Sequence, residues 1–337
     1  MLSERVLIAA LLVFLAVSAA NSALLMLINS EVKPPEVRVT VLTCEKCDTP
    51  AVDLSGVTVV SKRILNYPQG SDLISRLNIT RLPAVVLSGL EFAPGYEERD
   101  GYLVSEAGTP PYFSVPENRM RGLVKAVVVD ADCDVCINFT AVLRNLEASG
   151  VKFSEKKVVK NGEFPVLKYR IRKLPALLLS EDISLYPQFS RFARFLRKSG
   201  DYFVAEPSGP YVEVGTGKLR GAVDVIVLED SACPECYNAS IHLTILERFG
   251  FFINRTETLD VSSPEGKRLV RKYGIDAVPT VLVTGDTGVY ETFMPVWNQV
   301  GTVESDGTMV FRKPEIFGTY VNLTTGEIVQ GRTVTRT

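Results

Sequence analysis

Histidine is almost absent from this chain: there is one, His242, among 337 residues. A single imidazole excludes metal centres built from several histidines. Attachment of a c-type haem is excluded too, because it needs histidine directly after a Cys-x-x-Cys pair, and Asp48, Ile137 and Tyr237 stand there instead. His242 itself reads as an ordinary position in an apolar-periodic helix. A large charge of either sign is also missing, with 37 Lys and Arg against 39 Asp and Glu. No basic face or aromatic-interleaved basic run appears, so nucleic acid is not an expected partner. Cysteine is sparse and strictly placed. All six cysteines fall in three Cys-x-x-Cys pairs, Cys44/Cys47, Cys133/Cys136 and Cys233/Cys236, and none lies elsewhere.

Each pair has the same surroundings. An apolar run precedes it: Val39-Thr40-Val41-Leu42, Val127-Val128-Val129 or Val225-Ile226-Val227-Leu228. An X-Pro step followed by a second apolar run comes after it, at Pro83, Pro175 and Pro279, with intervals of 39, 42 and 46 residues from the first cysteine. One such pair is weak evidence; three at matching distances establish an internal repeat. The second and third repeats carry a helical apolar pattern after the pair, Phe139, Val142, Leu143 and Leu146 in one and Ile241, Ile245 and Phe249 in the other. These stop at Gly150 and Gly250, each 14 residues past the second cysteine. In the first repeat Pro50 and Gly56 allow little more than a turn there. Ser71–Leu77 reads as its second helix, and Ser263-Pro264 marks a capped helix start in the third. Phe189–Lys198 reads as a basic-aromatic helix with one core face and one solvated face; contact with anionic lipid is the alternative.

Strand, Cys-x-x-Cys, helix, strand, helix, X-Pro and strand resembles the thioredoxin superfamily, which includes thioredoxins, glutaredoxins and protein disulfide isomerases. The resemblance implies an α/β fold: three tandem thioredoxin-like domains with β-rich extensions, 37–121, 122–220 and 221–331, ending in a 332–337 tail. It implies cis peptides at Pro83, Pro175 and Pro279, positions that hold the substrate strand in the family. It also implies first cysteines that are exposed nucleophiles, Cys44, Cys133 and Cys233, resolved by Cys47, Cys136 and Cys236. The chain departs from thioredoxins in having Thr43, Asp132 and Ala232 where they carry tryptophan, and from disulfide isomerases in having no histidine between the cysteines. A pair at a helix start would have its thiolate stabilised by unpaired N–H groups, while Glu45, Asp134 and Glu235 between the sulfurs oppose that. Completeness of motif ranks the repeats third, second, first in expected exchange activity.

The N-terminus adds a location. Residues 6–28 are apolar apart from Ser18, Asn21 and Ser22, and a helix of that length spans about 34 Å, enough to cross a bilayer. We read a transmembrane anchor behind a 1–5 cytoplasmic stub and ahead of a 29–36 linker; a signal peptide cleaved near Ala19 or Ala20 is the competing reading. Five Asn-x-Ser/Thr sites, Asn78, Asn138, Asn238, Asn254 and Asn322, are glycosylation candidates and suggest an extracytoplasmic face. The expected function is thiol–disulfide exchange with envelope or secreted proteins, without a cofactor, recycled by a membrane electron-transfer partner. Two alternatives stand beside it. One is a binding module of the same fold with closed structural disulfides, although each four-residue loop would contribute only about 2 kcal/mol. The other is capture of a soft metal such as Cu(I) or zinc by the pairs.

Overall fold

The computed structural model describes residues 13–19, 33–160 and 164–331. Residues 13–19 form a short helix, α1. The rest of the 6–28 anchor, the 1–5 stub and the 332–337 tail lie outside the described residues. Among the described residues no helix is long and apolar enough to cross a membrane. The chain divides into two compact units, Met1–Gly122 and Leu123–Thr337.

The first unit holds repeat 1. β1 (Glu36–Thr43) pairs in parallel with β2 (Thr58–Asn66). α2 (Ser71–Arg76) follows, then the two-residue β3 (Arg81–Leu82), β4 (Ala84–Ser88), and the hairpin of β5 (Glu97–Arg99) and β6 (Tyr102–Glu106). The sheet order is β2-β1-β4-β6-β5. Val37, Val39 and Val41 alternate onto one face of β1, as strand geometry requires, and pack with Val85, Leu87 and Leu103. Leu42 faces the other way, onto Ile74, Leu77, Val86 and Val104 under α2. No helix forms between β1 and β2. Pro50 and Gly56 break the stretch, and Val52, Leu54 and Val57 cover that face of the sheet as irregular chain instead.

The second unit holds repeats 2 and 3. Repeat 2 runs through β9 (Leu123–Asp130), α3 (Phe139–Ala148), β10 (Lys152–Lys160), α4 (Phe164–Lys168), β11 (Lys173–Leu174), β12 (Ala176–Ser180), α5 (Phe189–Phe192), β13 (Leu196–Ser199) and β14 (Tyr202–Ala205). Its sheet order, β10-β9-β12-β14-β13, reproduces that of repeat 1. α3 is capped by Asn138, whose Oδ1 accepts the Ala141 N–H at 3.0 Å. It lays Phe139 and Leu143 on Val124, Ala126 and Val128 of the central strand. Repeat 3 runs through β17 (Ala222–Glu229), α6 (Ile241–Arg248), β18 (Phe252–Asp260), α7 (Pro264–Tyr273), β19 (Ala277–Val278), β20 (Thr280–Gly285), α8 (Met294–Trp297), β21 (Gly301–Val303) and β22 (Met309–Phe311), again in the order β18-β17-β20-β22-β21. The start of α7 is as the sequence indicates: Ser263 Oγ accepts the Gly266 N–H at 2.9 Å and Pro264 opens the helix. Gly266 is required, since a Cβ there would lie 2.1 Å from the Asp260 carbonyl oxygen. At the seam between these two repeats, the Arg220 guanidinium grips the Asp286 carboxylate through Nε and Nη2, at 2.6 and 3.0 Å.

Two expectations need correction. The basic-aromatic segment 189–198 is not one helix. α5 ends at Phe192, a 3-10 turn covers Ala193–Phe195, and Leu196–Ser199 pairs with β14 as a strand. The β-rich extensions do not begin straight after the strand that follows each cis-proline: the segments from Gly101, Gly200 and Asp306 contain β6, β14 and β22, which belong to the central sheets. Leu103 and Val104 show why: both are buried, one on each face. In repeat 1 the turn is Asp100-Gly101, both at positive φ, the type I′ geometry that suits a two-residue hairpin. The true extensions come later, as the hairpins β7 (Tyr112–Ser114)–β8 (Arg119–Arg121), β15 (Tyr211–Glu213)–β16 (Leu219–Arg220) and β23 (Tyr320–Asn322)–β24 (Glu327–Val329).

Candidate functional site

A cysteine pair follows each central strand within four residues, and each pair is a disulfide: Cys44–Cys47, Cys133–Cys136 and Cys233–Cys236, with Cα atoms 5.0, 5.4 and 5.5 Å apart. The pair closes a turn in which the second cysteine's N–H donates to the first cysteine's carbonyl, at 3.1, 3.3 and 3.3 Å. The peptides Leu82-Pro83, Leu174-Pro175 and Val278-Pro279 are cis, as the resemblance implies.

The pairs do not sit at helix starts. α3 begins at Phe139 and α6 at Ile241, three and five residues beyond the second cysteine, and repeat 1 has no helix there. Side-chain chemistry after the pair moves the start. Asn138 caps α3, and Asn238 Oδ1 accepts the Ser240 N–H at 2.9 Å in a local turn ahead of α6. The field of a helix end fades within one turn, so the expected dipole stabilisation of the first thiolate is lost.

The dipeptide before each cis-proline is already paired. Arg81-Leu82 lies against Ser114 and Phe113, Lys173-Leu174 against Glu213 and Val212, and Ala277-Val278 against Asn322 and Val321. Any other strand laid along these dipeptides would have to compete with the chain's own hairpins. The sequence carries no signal for this, because the pairing partners are 31 to 45 residues away in hairpins whose strands are two or three residues long.

Those hairpins differ in how far they cover the sulfurs. In repeat 1 Met120 Sδ on β8 lies 3.7 Å from Cys44 Sγ, Cys47 Sγ lies 3.6 Å from the Leu82 carbonyl oxygen, and Cys44 is 8% exposed. In repeat 3 Cys233 is 7% exposed, packed in a cluster with Val321 and Leu323 of the hairpin. The Tyr237 hydroxyl donates to the Pro279 carbonyl at 2.9 Å and lies 3.0 Å from His242 Nε2. Its one proton being given to Pro279, Tyr237 accepts from the Nε2–H of a neutral His242. Burial pushes the Tyr237 hydroxyl up and lowers His242 to about 4. His242 is thus an interior residue that secures the third cis-proline.

Repeat 2 is open. Both Cys133 and Cys136 are partly exposed. They line a cavity of about 480 Å³ together with Pro175, Val158, Ile137 and three carboxylates, Asp130, Asp132 and Asp134. Lys160 Nζ lies 2.8 Å from Asp132, whose carboxylate holds the ammonium above its ordinary value. In repeat 3 the loop before Cys233 is held by Asp260, whose carboxylate accepts the N–H groups of Ser262 and Ser231 at 2.7 and 2.8 Å; hydrogen bonds from the side chains of these serines, and then from their N–H groups, keep it well below the usual carboxylate range. Among the described residues no three His, Cys, Asp or Glu side chains gather as a metal site. Of the sequon asparagines, Asn78, Asn138, Asn238 and Asn254 are exposed and Asn322 is half-buried.

No protein-family model matches this chain. No curated protein matches it either. Among solved structures, form II of ERdj5 aligns at 12% identity over 82% of this chain and 45% of that one, with a TM-score of 0.15. This chain therefore spans less than half of ERdj5. The zinc-bound form of human ERp44 aligns at 11% identity over 79% of this chain and 89% of that one, with a TM-score of 0.14. Form I of human ERp44 aligns at 10% identity over 79% and 82%, with a TM-score of 0.13. Likenesses this slight carry no weight, and the thioredoxin-like character rests on strand order, disulfides and cis-prolines.

Proposed function

We propose that this chain is a thiol–disulfide oxidoreductase whose working pair is Cys133–Cys136. The observation that supports this is the contrast in access: the repeat 2 disulfide lines an open cavity beside cis-Pro175, while Cys44 and Cys233 are buried. In the oxidised state described, a client thiolate attacks one sulfur, the S–S bond breaks, and the other sulfur leaves as a thiolate. A second client thiol then displaces the mixed disulfide. The client loses two electrons and gains a disulfide; Cys133 and Cys136 receive the two electrons as a dithiol. In the reverse direction the dithiol opens a client disulfide. The pairs of repeats 1 and 3, whose first cysteines are buried and whose second are partly exposed, serve as structural links in their turns, which is where the alternative of closed disulfides applies.

Replacing each pair in turn by serine in the full chain tests this with an insulin-reduction assay. Only C133S/C136S is expected to abolish turnover. Full activity in that variant would move the site elsewhere.

The location is part of the proposal. The apolar 6–28 segment and the exposed sequon asparagines favour a chain anchored in a membrane with residues 31–337 outside the cytoplasm, acting on envelope or secreted proteins and recycled by a membrane partner. Protease added to intact cells should remove the bulk of the chain; complete protection of a chain that the same protease cuts in lysed cells would contradict it.

A further inference from the structure

Beside the open disulfide of repeat 2 lies a second cavity, about 530 Å³ and mainly apolar. Val142, Leu177, Phe195 and Ala205 line it, and Ile137 and Phe139 line both cavities. The two are therefore adjoining parts of one surface, with a disulfide at one end and an apolar recess at the other.

Repeat 3 shows what belongs in that recess. The stop glycines Gly150 and Gly250 align Val142 with His242, and the second cysteines align Ile137 with Tyr237. Strand register aligns Ala205 with Phe311, because Leu178 pairs with Val204 as Leu282 pairs with Val310. Where repeat 2 has isoleucine, valine and alanine, repeat 3 has three rings. They close around a fourth, Phe317, which stacks on Tyr237 at 5.8 Å and meets His242 and Phe311 edge-on at 4.7 and 5.6 Å. Phe317 comes from the connector between β22 and β23, residues 312–319, whose 3-10 turn spans Pro314–Ile316. The connector at the same place in repeat 2, residues 206–210 between β14 and β15, has no such turn and no aromatic residue. The apolar cavity left at this place in repeat 3 is about 140 Å³. One repeat thus fills the recess with its own phenylalanine next to a disulfide whose first cysteine is buried. The other leaves it empty next to an open one.

We infer that the recess of repeat 2 seats an aromatic side chain of the client, close in sequence to the cysteine that exchanges with Cys133–Cys136. The inference deepens the oxidoreductase reading and rests on it. An aromatic ring supplies a large apolar area at little cost in side-chain entropy, and its seating positions the neighbouring client sulfur at the disulfide. The repeat 3 arrangement is then an internal copy of the bound state, with Phe317 in the client's place.

The test uses the full chain and two short capped peptides, alike except that phenylalanine or alanine precedes a single cysteine. Mixed-disulfide formation is followed by mass spectrometry. The phenylalanine peptide is expected to react about tenfold faster or more, the discrimination an apolar pocket supplies. Ala205→Phe, which installs the residue repeat 3 uses, should abolish that advantage. Phe195→Ala, at a half-exposed wall of the recess, should reduce it. Equal rates for both peptides on the wild type, or an advantage untouched in both variants, overturn the inference while leaving the oxidoreductase reading intact. If neither peptide reacts, that reading fails. Fluorescence anisotropy of the cysteine-to-serine phenylalanine peptide then decides the recess alone: binding lost in Ala205→Phe supports it, and no binding overturns it.

Discussion

Met120 Sδ on the β7–β8 hairpin lies against Cys44 Sγ at 3.7 Å. The hairpin that pairs with Arg81-Leu82 therefore also shields the first sulfur of repeat 1. Thiol–disulfide exchange needs a collinear approach to sulfur, and its rate depends on access. Met120→Ala should speed reduction of Cys44–Cys47 by dithiothreitol about threefold to tenfold by uncovering that sulfur. Cys233–Cys236, in the other unit, should not change. Site-resolved alkylation reads both, and an unchanged rate at Cys44–Cys47 would show that the hairpin is not its cover.

The acidic cavity of repeat 2 sets its redox poise. Asp130, Asp132 and Asp134 face the pair, Lys160 is engaged by Asp132, and α3 starts too late to lend its N-terminal field. Nearby carboxylates disfavour the thiolate, and oxidants of the strong kind depend on a stabilised thiolate. The potential of Cys133–Cys136 is expected at roughly −230 mV or lower, toward the thioredoxin end of the range. Asp134→Asn should make it less negative by about 10 to 20 mV, the equivalent of less than 1 kcal/mol for a two-electron couple. Glutathione-equilibrated alkylation measures it, and a value above about −170 mV would make the pair an oxidant or isomerase.

His242 gives a pH dependence of stability. Its folded value is lowered from 6.5 to about 4 by burial. Above pH 6.5 the ring is neutral both folded and unfolded and contributes no slope. Between pH 6.5 and about 4 the unfolded chain binds the extra proton, so stability falls as pH falls, by about 3 kcal/mol at most, and levels off below. Asp260 is displaced in the same direction, its carboxylate also lowered, so its contribution too is lost as pH falls, but only below the ordinary 3.8. Denaturant melts of the full chain across pH 4 to 7, with His242→Gln as comparison, check this. The wild-type slope between pH 6.5 and 4 should flatten in the variant; an identical slope would remove His242 from the account.

Much of this was legible in the sequence, and what escaped has physical causes. Three spaced Cys-x-x-Cys and X-Pro steps marked the repeats, since chain reversal beside a sulfur pair leaves local signatures. Ser263-Pro264 marked α7, and Pro50 with Gly56 marked the missing helix of repeat 1, because caps and breakers act within a few residues. The helices after the second and third pairs start beyond the pair rather than at it, because the sequon residues Asn138 and Asn238 bind backbone N–H groups with their side chains. Which pair is open depends on Met120, Val321 and Phe317 reaching a cysteine turn from distant hairpins and connectors. Such contacts have no local pattern, and motif completeness, which places repeat 3 first, does not register the burial of Cys233.

The central claim is that access selects Cys133–Cys136. The most direct measurement is the order in which the three disulfides of the full chain open under a small excess of reduced glutathione, trapped with isotope-labelled iodoacetamide and read peptide by peptide. The account predicts that Cys133 and Cys136 are labelled first, ahead of the other pairs by about tenfold or more. Labelling that begins at Cys233 and Cys236, or that rises equally at all three pairs, would contradict it.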